Sequence, residues 1–215
     1  MDTLDDQRFK ARKQPKQARS QVTVDAIFEG TIQVLLSVGL HRLTTIRVAE
    51  RAGVSVGTLY QYYPHKQALL FAVLERHFLR MTKALGDAAE SVHGSDLPTM
   101  VRVIVAAYVQ AKTERIEETW AMVAVASELD TRDLVQTYVE GCRITLLEML
   151  KSACDAQFED LEITSFMLVA ALGGPTYQMI QRRDPPAAIL ALRGQLESLC
   201  LGYLQREALT ADSPK

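Results

Sequence analysis

Signatures of catalysis are missing from this sequence. Its four histidines, His41, His65, His77 and His93, are scattered, with no His-Glu-x-x-His and no cysteine–histidine spacing suited to zinc. There is no Gly-x-Ser-x-Gly, no phosphate-binding loop and no dinucleotide fingerprint. Adjacent carboxylates such as Glu117–Glu118 and Glu159–Asp160 read as solvated helix ends. No enzyme, metal, cofactor or catalytic residue is therefore expected. Cysteine is scarce: Cys142, Cys154 and Cys200 are widely spaced among apolar neighbours, which points to reduced core thiols in a cytosolic protein. No apolar run approaches the roughly 20 residues of a membrane span, and the charged start lacks the apolar centre of a signal peptide. Strand signals are absent too, with no sustained period-two alternation and no Asn-Gly or Asp-Gly hairpin.

What is present is helical periodicity. Of the 215 residues, 48% are apolar, enough to bury a sizeable core. A first helix is predicted from Ser20 to Val38, with Ile27, Thr31 and Leu35 on one face and Gly39 as its stop. Two short helices follow at Thr45–Ala52 and Val56–Tyr62, then, after Pro64, a long one over Lys66–Ala84. Gly86–Pro98 reads as a loop. Further helices are predicted at Pro98–Lys112, Ile116–Glu128, Arg132–Gln157, Glu162–Arg182 and Pro186–Leu209. Charge is uneven along the chain. Residues 1–66 hold ten Lys or Arg against six Asp or Glu, whereas the remainder holds 14 against 20. A basic end on an acidic body suits a protein that offers one end to a polyanion.

The informative stretch is TTIRVAERAGVSVGTLYQYYPHK, residues 44–66. Two helices of about two turns bury too little alone, so they must pack on each other and on the first helix. Ala49 is small at the crossing, and Gly53 sits where the chain reverses. Val48, Ala52, Val54 and Leu59 supply inner apolar contacts; Thr44 or Thr45, and Ser55, are the expected caps. The second short helix would expose Val56, Gly57, Thr58, Gln61 and Tyr62, a small, uncharged surface able to approach base edges in the major groove. Gln61 offers a base hydrogen bond, and Thr58 or Val56 a contact for a thymine methyl. Thr45, Ser55, Tyr60, Tyr62 and Lys66 carry donors suited to phosphate oxygens.

This stretch resembles the signature of the tetracycline-repressor (TetR) family, Thr-x-x-x-Ile-Ala-x-x-Ala-Gly-Val-Ser-x-Gly-x-Leu-Tyr-x-Tyr-Phe-x-x-Lys. Thr45, Val48, Ala49, Ala52, Gly53, Val54, Ser55, Gly57, Leu59, Tyr60, Tyr62, Tyr63 and Lys66 stand in its positions, and the likeness covers residues 19–75. The resemblance implies an all-α chain: a three-helix, helix-turn-helix DNA-binding domain at 19–65 and a helical ligand-binding and dimerisation domain at 66–209. A flexible basic arm (1–18) and a short tail (210–215) flank them. Thr45, Tyr62 and Lys66 would contact phosphates, Val56, Gly57, Thr58 and Gln61 would face bases, and Arg47 would add a contact. Three departures stand out. Ile46 occupies a place where some relatives carry a guanine-reading arginine, His65 replaces the usual capping Asn or Asp, and Tyr63 replaces phenylalanine.

By the same resemblance the protein is a ligand-responsive repressor, cytoplasmic and nucleoid-associated when bound, that holds a palindromic operator as a homodimer through its last two helices. An activator or regulator without a small-molecule ligand is the alternative. Tyr108, Trp120, Met122, Met149 and Phe166 are large residues on the middle helices and form the candidate effector pocket, with Arg143 as the nearby cation. Its apolar character favours a hydrophobic or aromatic effector.

Overall fold

A computed structural model describes residues 18–209; the basic arm and the tail expected at the two ends lie outside the described residues. Nine α-helices and no strand are found among them: α1 (Ala18–Val38), α2 (Thr45–Ala52), α3 (Val56–Tyr62), α4 (Lys66–Ser91), α5 (Leu97–Thr113), α6 (Ile116–Glu128), α7 (Arg132–Lys151), α8 (Leu161–Gln181) and α9 (Pro186–Glu207). The all-α expectation holds. Where boundaries moved, the reasons are local. Helix α4 continues through Gly86 because Leu85, Ala89 and Val92 keep a buried stripe going, at 2%, 7% and 4% exposure. A glycine inside a helix costs only about 1 kcal/mol, less than that stripe recovers. Helix α7 stops six residues short of the expected Gln157. The chain beyond it braces the start of α5 instead, where Leu97 N donates to Asp155 Oδ1 at 2.9 Å and Gly94 N to Ser152 Oγ at 3.0 Å.

The chain divides into two compact units. The first contains the described residues up to Phe78 together with Glu117–Thr131; the second contains Leu79–Ile116 and the described residues from Arg132 on. Helix α4 contributes to both, and α6 belongs almost wholly to the first. In the first unit, α1 packs on α2 and α2 on α3 around Ile27, Val48 and Leu59, each fully buried. Burying such side chains contributes about 1.5–3 kcal/mol each. Gly30 sets how near α1 can come. A Cβ there would stand 3.0 Å from the Ala52 backbone nitrogen and 3.1 Å from its Cβ, so only glycine fits without a shift.

In the second unit, α5 packs on α9, α7 on α8, and α8 on both α9 and α5. Asp96 caps α5 by accepting from Thr99 N at 2.9 Å, and Asp160 caps α8 by accepting from Ile163 N at 2.9 Å. The cap bond and Thr99 hold the Asp96 carboxyl below its ordinary pKa. Helix α8 corrects the expectation about apolar runs: with 21 residues and a mean hydropathy of 1.2, it has the length and composition of a span. It packs instead between helices, with Leu168, Leu172 and Thr176 buried. Cys142 and Cys200 are buried as expected, but Cys154 is exposed, because it falls in the bracing segment after α7.

Candidate functional site

The helix-turn-helix is built by its caps. Thr44 Oγ1 accepts from Arg47 N at 3.3 Å to start α2, and Gly53 ends it at φ 67°, a left-handed conformation natural to glycine. The released carbonyls are satisfied by the turn itself, with Val54 N donating to Ala49 O at 3.0 Å and Gly53 N to Glu50 O at 3.2 Å. Ser55 Oγ then accepts from Thr58 N at 2.9 Å and starts α3. One turn is thus dictated by two side chains and one glycine.

On the outer face, Gly57, Tyr60 and Gln61 are exposed and Val56 and Thr58 half-exposed, a surface as small and uncharged as expected. Ile46 of α2 is 56% exposed, an apolar group at the departure from the family pattern. The hydroxyls are not independent. Thr58 Oγ1 lies 2.8 Å from Ser55 Oγ, and Thr45 Oγ1 lies 2.9 Å from Tyr60 Oη. Thr45 itself is buried, so its hydroxyl acts through Tyr60 rather than standing free. Tyr62 corrects the reading of it as exposed: it is only 6% exposed. It lies three residues after Leu59, on the same inner face of α3, and its ring packs 6.4 Å from that of Tyr63.

Positive charge gathers at the turn between α1 and α2. Arg42 Nε donates to Val38 O at 3.1 Å, Arg47 Nη1 to Arg42 O at 3.0 Å, and Lys66 Nζ to Leu40 O at 2.8 Å. Lys66 therefore has a structural bond as well as a charge. The two other departures are resolved by packing. His65 caps α4 in the aspartate's place, its Nδ1 accepting from Ala68 N at 3.1 Å. Tyr63 buries its ring 5.9 Å from that of Phe28, and burial pushes its hydroxyl up to about 12. The Arg76 guanidinium, ion-paired with Asp25, covers the Phe28 ring at 4.8 Å.

Trp120 and Met122 belong to the first unit; Tyr108, Arg143, Met149 and Phe166 belong to the second. Met122 and Met149 are plain core, at 2% and 3% exposure. The Trp120 indole N–H is buried without a hydrogen-bond partner. Phe166 is 58% exposed and lines, with Arg143, Val135 and Val139, an open groove of about 520 Å³ between α7 and α8. Arg143 is no spare cation: Glu140 and Glu162 both hold its guanidinium and raise its pKa. Two features escaped the sequence reading. His77 of α4 and Glu118 of α6 form a buried pair, with Nδ1 3.2 Å from Oε1 and both side chains 3% exposed. Lys112, one turn beyond Tyr108, stands over two tyrosine rings; the spacing from Tyr108 was legible, but the second ring comes from α7.

Residues 27–73 match the family described as bacterial regulatory proteins, tetR family, and residues 96–204 match the tetracyclin repressor-like C-terminal domain. The chain belongs to the tetR family. It is therefore a DNA-binding transcriptional regulator and not an enzyme. Among its relatives, the nucleoid occlusion factor SlmA of Haemophilus ducreyi is 27% identical over 149 residues, covering 66% of this chain and 73% of that protein. The HTH-type transcriptional repressor KstR of Mycolicibacterium smegmatis is 40% identical over 63 residues, 29% of this chain and 31% of that protein. In fold the chain is similar to the fatty acid degradation regulator FadR of Bacillus halodurans, with a TM-score of 0.63 and 17% identity over 88% of this chain and 97% of that one. FadR of Bacillus subtilis, solved in complex with stearoyl-CoA, gives a TM-score of 0.65 and 14% identity over 83% and 98%.

Proposed function

We propose that this tetR-family regulator is a repressor that binds a palindromic operator as a homodimer and releases it on binding a small apolar effector. Val56, Gly57, Thr58 and Gln61 face bases; Arg47, Ser55, Lys66 and the Thr45–Tyr60 pair face phosphates. The observation that carries the reading is the outer face of α3, which bears no charge, in the same unit as three cations held on the turn between α1 and α2. Small side chains let a helix approach base edges, while cations and hydroxyls position it on the backbone without reading sequence.

Dimerisation is supported by the outward sides of the last two helices. Helix α8 exposes Ile163, Phe166, Met167 and Tyr177 at helical spacing, at 60%, 58%, 44% and 53%. Helix α9 exposes Ala187, Ala191, Gly194, Ser198 and Gly202, a face small enough for close crossing. Two such pairs of helices bury each other as a four-helix bundle. The two copies of α3 would then lie about 34 Å apart, one turn of DNA. An effector that favours a different spacing weakens both half-sites at once. The dimer acts in the cytoplasm, on the nucleoid when bound.

A second reading, a regulator that holds DNA without any effector, is supported by the likeness to a nucleoid occlusion factor. Fluorescence anisotropy of an operator duplex separates the two. Release by a fraction of a metabolite extract is the outcome for a ligand-responsive repressor; no release by any fraction sinks that half of the reading. Gln61→Ala tests the base contact. It should relax preference at one operator position by about 1–3 kcal/mol, and equal losses on operator and random duplex would show that Gln61 reads no base.

A further inference from the structure

Helix α2 turns Ile46, Arg47, Glu50 and Arg51 outward, all exposed, and buries Thr45, Val48 and Ala49 on its other side. The outer face is charged except at Ile46. Its two arginines are tied back toward α1: Arg47 Nη1 donates to Arg42 O at 3.0 Å on the turn that follows α1, and Arg51 Nε donates to Gln33 Oε1 of α1. Ile46 is left as a free apolar side chain, 56% exposed. Its neighbour Thr45 places Oγ1 2.9 Å from Tyr60 Oη. That bond holds the start of α2 against the side of α3 on which Tyr60 is itself 41% exposed. Ile46 and Tyr60 are the two large apolar side chains that α2 and α3 leave in the open.

An isoleucine in water gains free energy only by covering its surface with another apolar group. On a DNA duplex its choices are few. It has no atom to bond a phosphate oxygen. Set against the amino group of cytosine or adenine, it strips water from a donor and offers no acceptor in return. The apolar group that a base edge presents in the major groove is the C5 methyl of thymine. The first helix of a helix-turn-helix crosses the backbone while the second lies in the groove, so the end of α2 that is tied to α3 stands at the rim of that groove.

We propose that Ile46 determines specificity from outside α3: it packs on the methyl of one thymine in each half-site and selects a T·A pair there. The inference rests on the reading of the outer face of α3 as the surface that enters the major groove, and it extends base reading to α2. Packing on deoxyribose, which every sequence offers, and a surface isoleucine that touches nothing are the competing accounts.

The test uses the full-length protein and a duplex that it enriches from a random pool, with each thymine replaced in turn by deoxyuridine, which removes the methyl alone. Affinities of wild type and Ile46→Ala are read by fluorescence anisotropy. At one thymine per half-site, deoxyuridine weakens wild type about fourfold, the worth of one methyl taken out of water, and about 15-fold when both half-sites are changed. Ile46→Ala, altered in both subunits, loses about 15-fold on the thymine duplex and nothing further on the doubly substituted one, because both changes remove the same contact. At every other thymine the two proteins respond equally to deoxyuridine, which guards against a folding defect. The slope of affinity against salt is the same for both, since no phosphate contact is lost. The proposal is overturned if Ile46→Ala binds the enriched duplex as tightly as wild type, if it weakens enriched and random duplexes alike, or if its loss and that of deoxyuridine add at every thymine. Gln61→Ala separates this failure from that of the α3 reading. A preference changed by Gln61→Ala but not by Ile46→Ala refutes Ile46 alone, whereas a pool in which no sequence is enriched refutes both.

Discussion

Replacing Lys112 by methionine should make the protein more stable, and the gain should fade as pH rises. The ammonium is pushed from 10.5 down to about 8, chiefly by burial. At 1.36 kcal/mol per pH unit, holding the charge in the folded state at pH 7 costs at most about 3 kcal/mol. Residual exposure of Lys112 and two ring contacts worth about 0.5–1 kcal/mol each reduce this to a net gain of about 1–2 kcal/mol for the methionine. At about 2–4 °C per kcal/mol for a chain of this size, Tm should rise by roughly 2–8 °C. The pH dependence has a definite sign. Between about pH 8 and 10.5 the unfolded chain keeps a proton on Lys112 that the folded chain has lost. Folded wild type therefore gains stability as pH rises through that window, by at most about 1.4 kcal/mol per unit, while Lys112→Met does not. Thermal denaturation at pH 7 and 9.5, at one protein concentration, reads both effects. Tyrosine ionisation is common to the two proteins and cancels in their difference. A variant less stable than wild type at pH 7, or a gap that ignores pH, would refute the desolvated lysine.

Gly30→Ala and Gly86→Ala should move stability in opposite directions. The first meets the Ala52 backbone at 3.0 Å and should cost about 1–3 kcal/mol through overpacking. The second enters open space within α4 and should add about 0.5–1 kcal/mol; chemical denaturation midpoints decide, and equal signs would contradict the packing. Glu118→Ala removes one hydrogen-bond partner of the buried His77 and should cost about 1–3 kcal/mol, whereas His77→Phe with Glu118→Met should recover most of it. A single variant as stable as wild type would show that the pair carries no energy. Lys66→Ala should lower the slope of DNA affinity against salt by about one unit, and should lower Tm as well because Nζ also bonds Leu40 O. An unchanged salt slope would leave Lys66 as a structural bond alone.

What could be read from the sequence, and what could not, follows from how far apart the cooperating residues lie. The helix-turn-helix was legible because its determinants are local: Ser55 caps the helix it precedes, and Gly53 turns left-handed within its own loop. Tyr62 was legible too, had its three-residue offset from Leu59 outweighed its hydroxyl. The ends of α4 and α7 were not, since Gly86 is tolerated by a stripe one turn on either side and Asp155 is claimed by Leu97, 58 residues away. The cluster around Tyr108 lies at the far end of that scale. Tyr108 and Lys112 share a helix face, which periodicity can show, but Tyr138 and Thr176 come from two other helices. A lysine in a helical sequence is a solvated residue by default. Burial among rings from two helices makes Lys112 a desolvated cation, and Arg143, a candidate anion receptor in one dimension, is held by carboxylates at 140 and 162. Pocket chemistry in such a bundle is thus decided by which helix faces meet. A residue count along one helix can nominate a cation but cannot show which groups from other helices surround it.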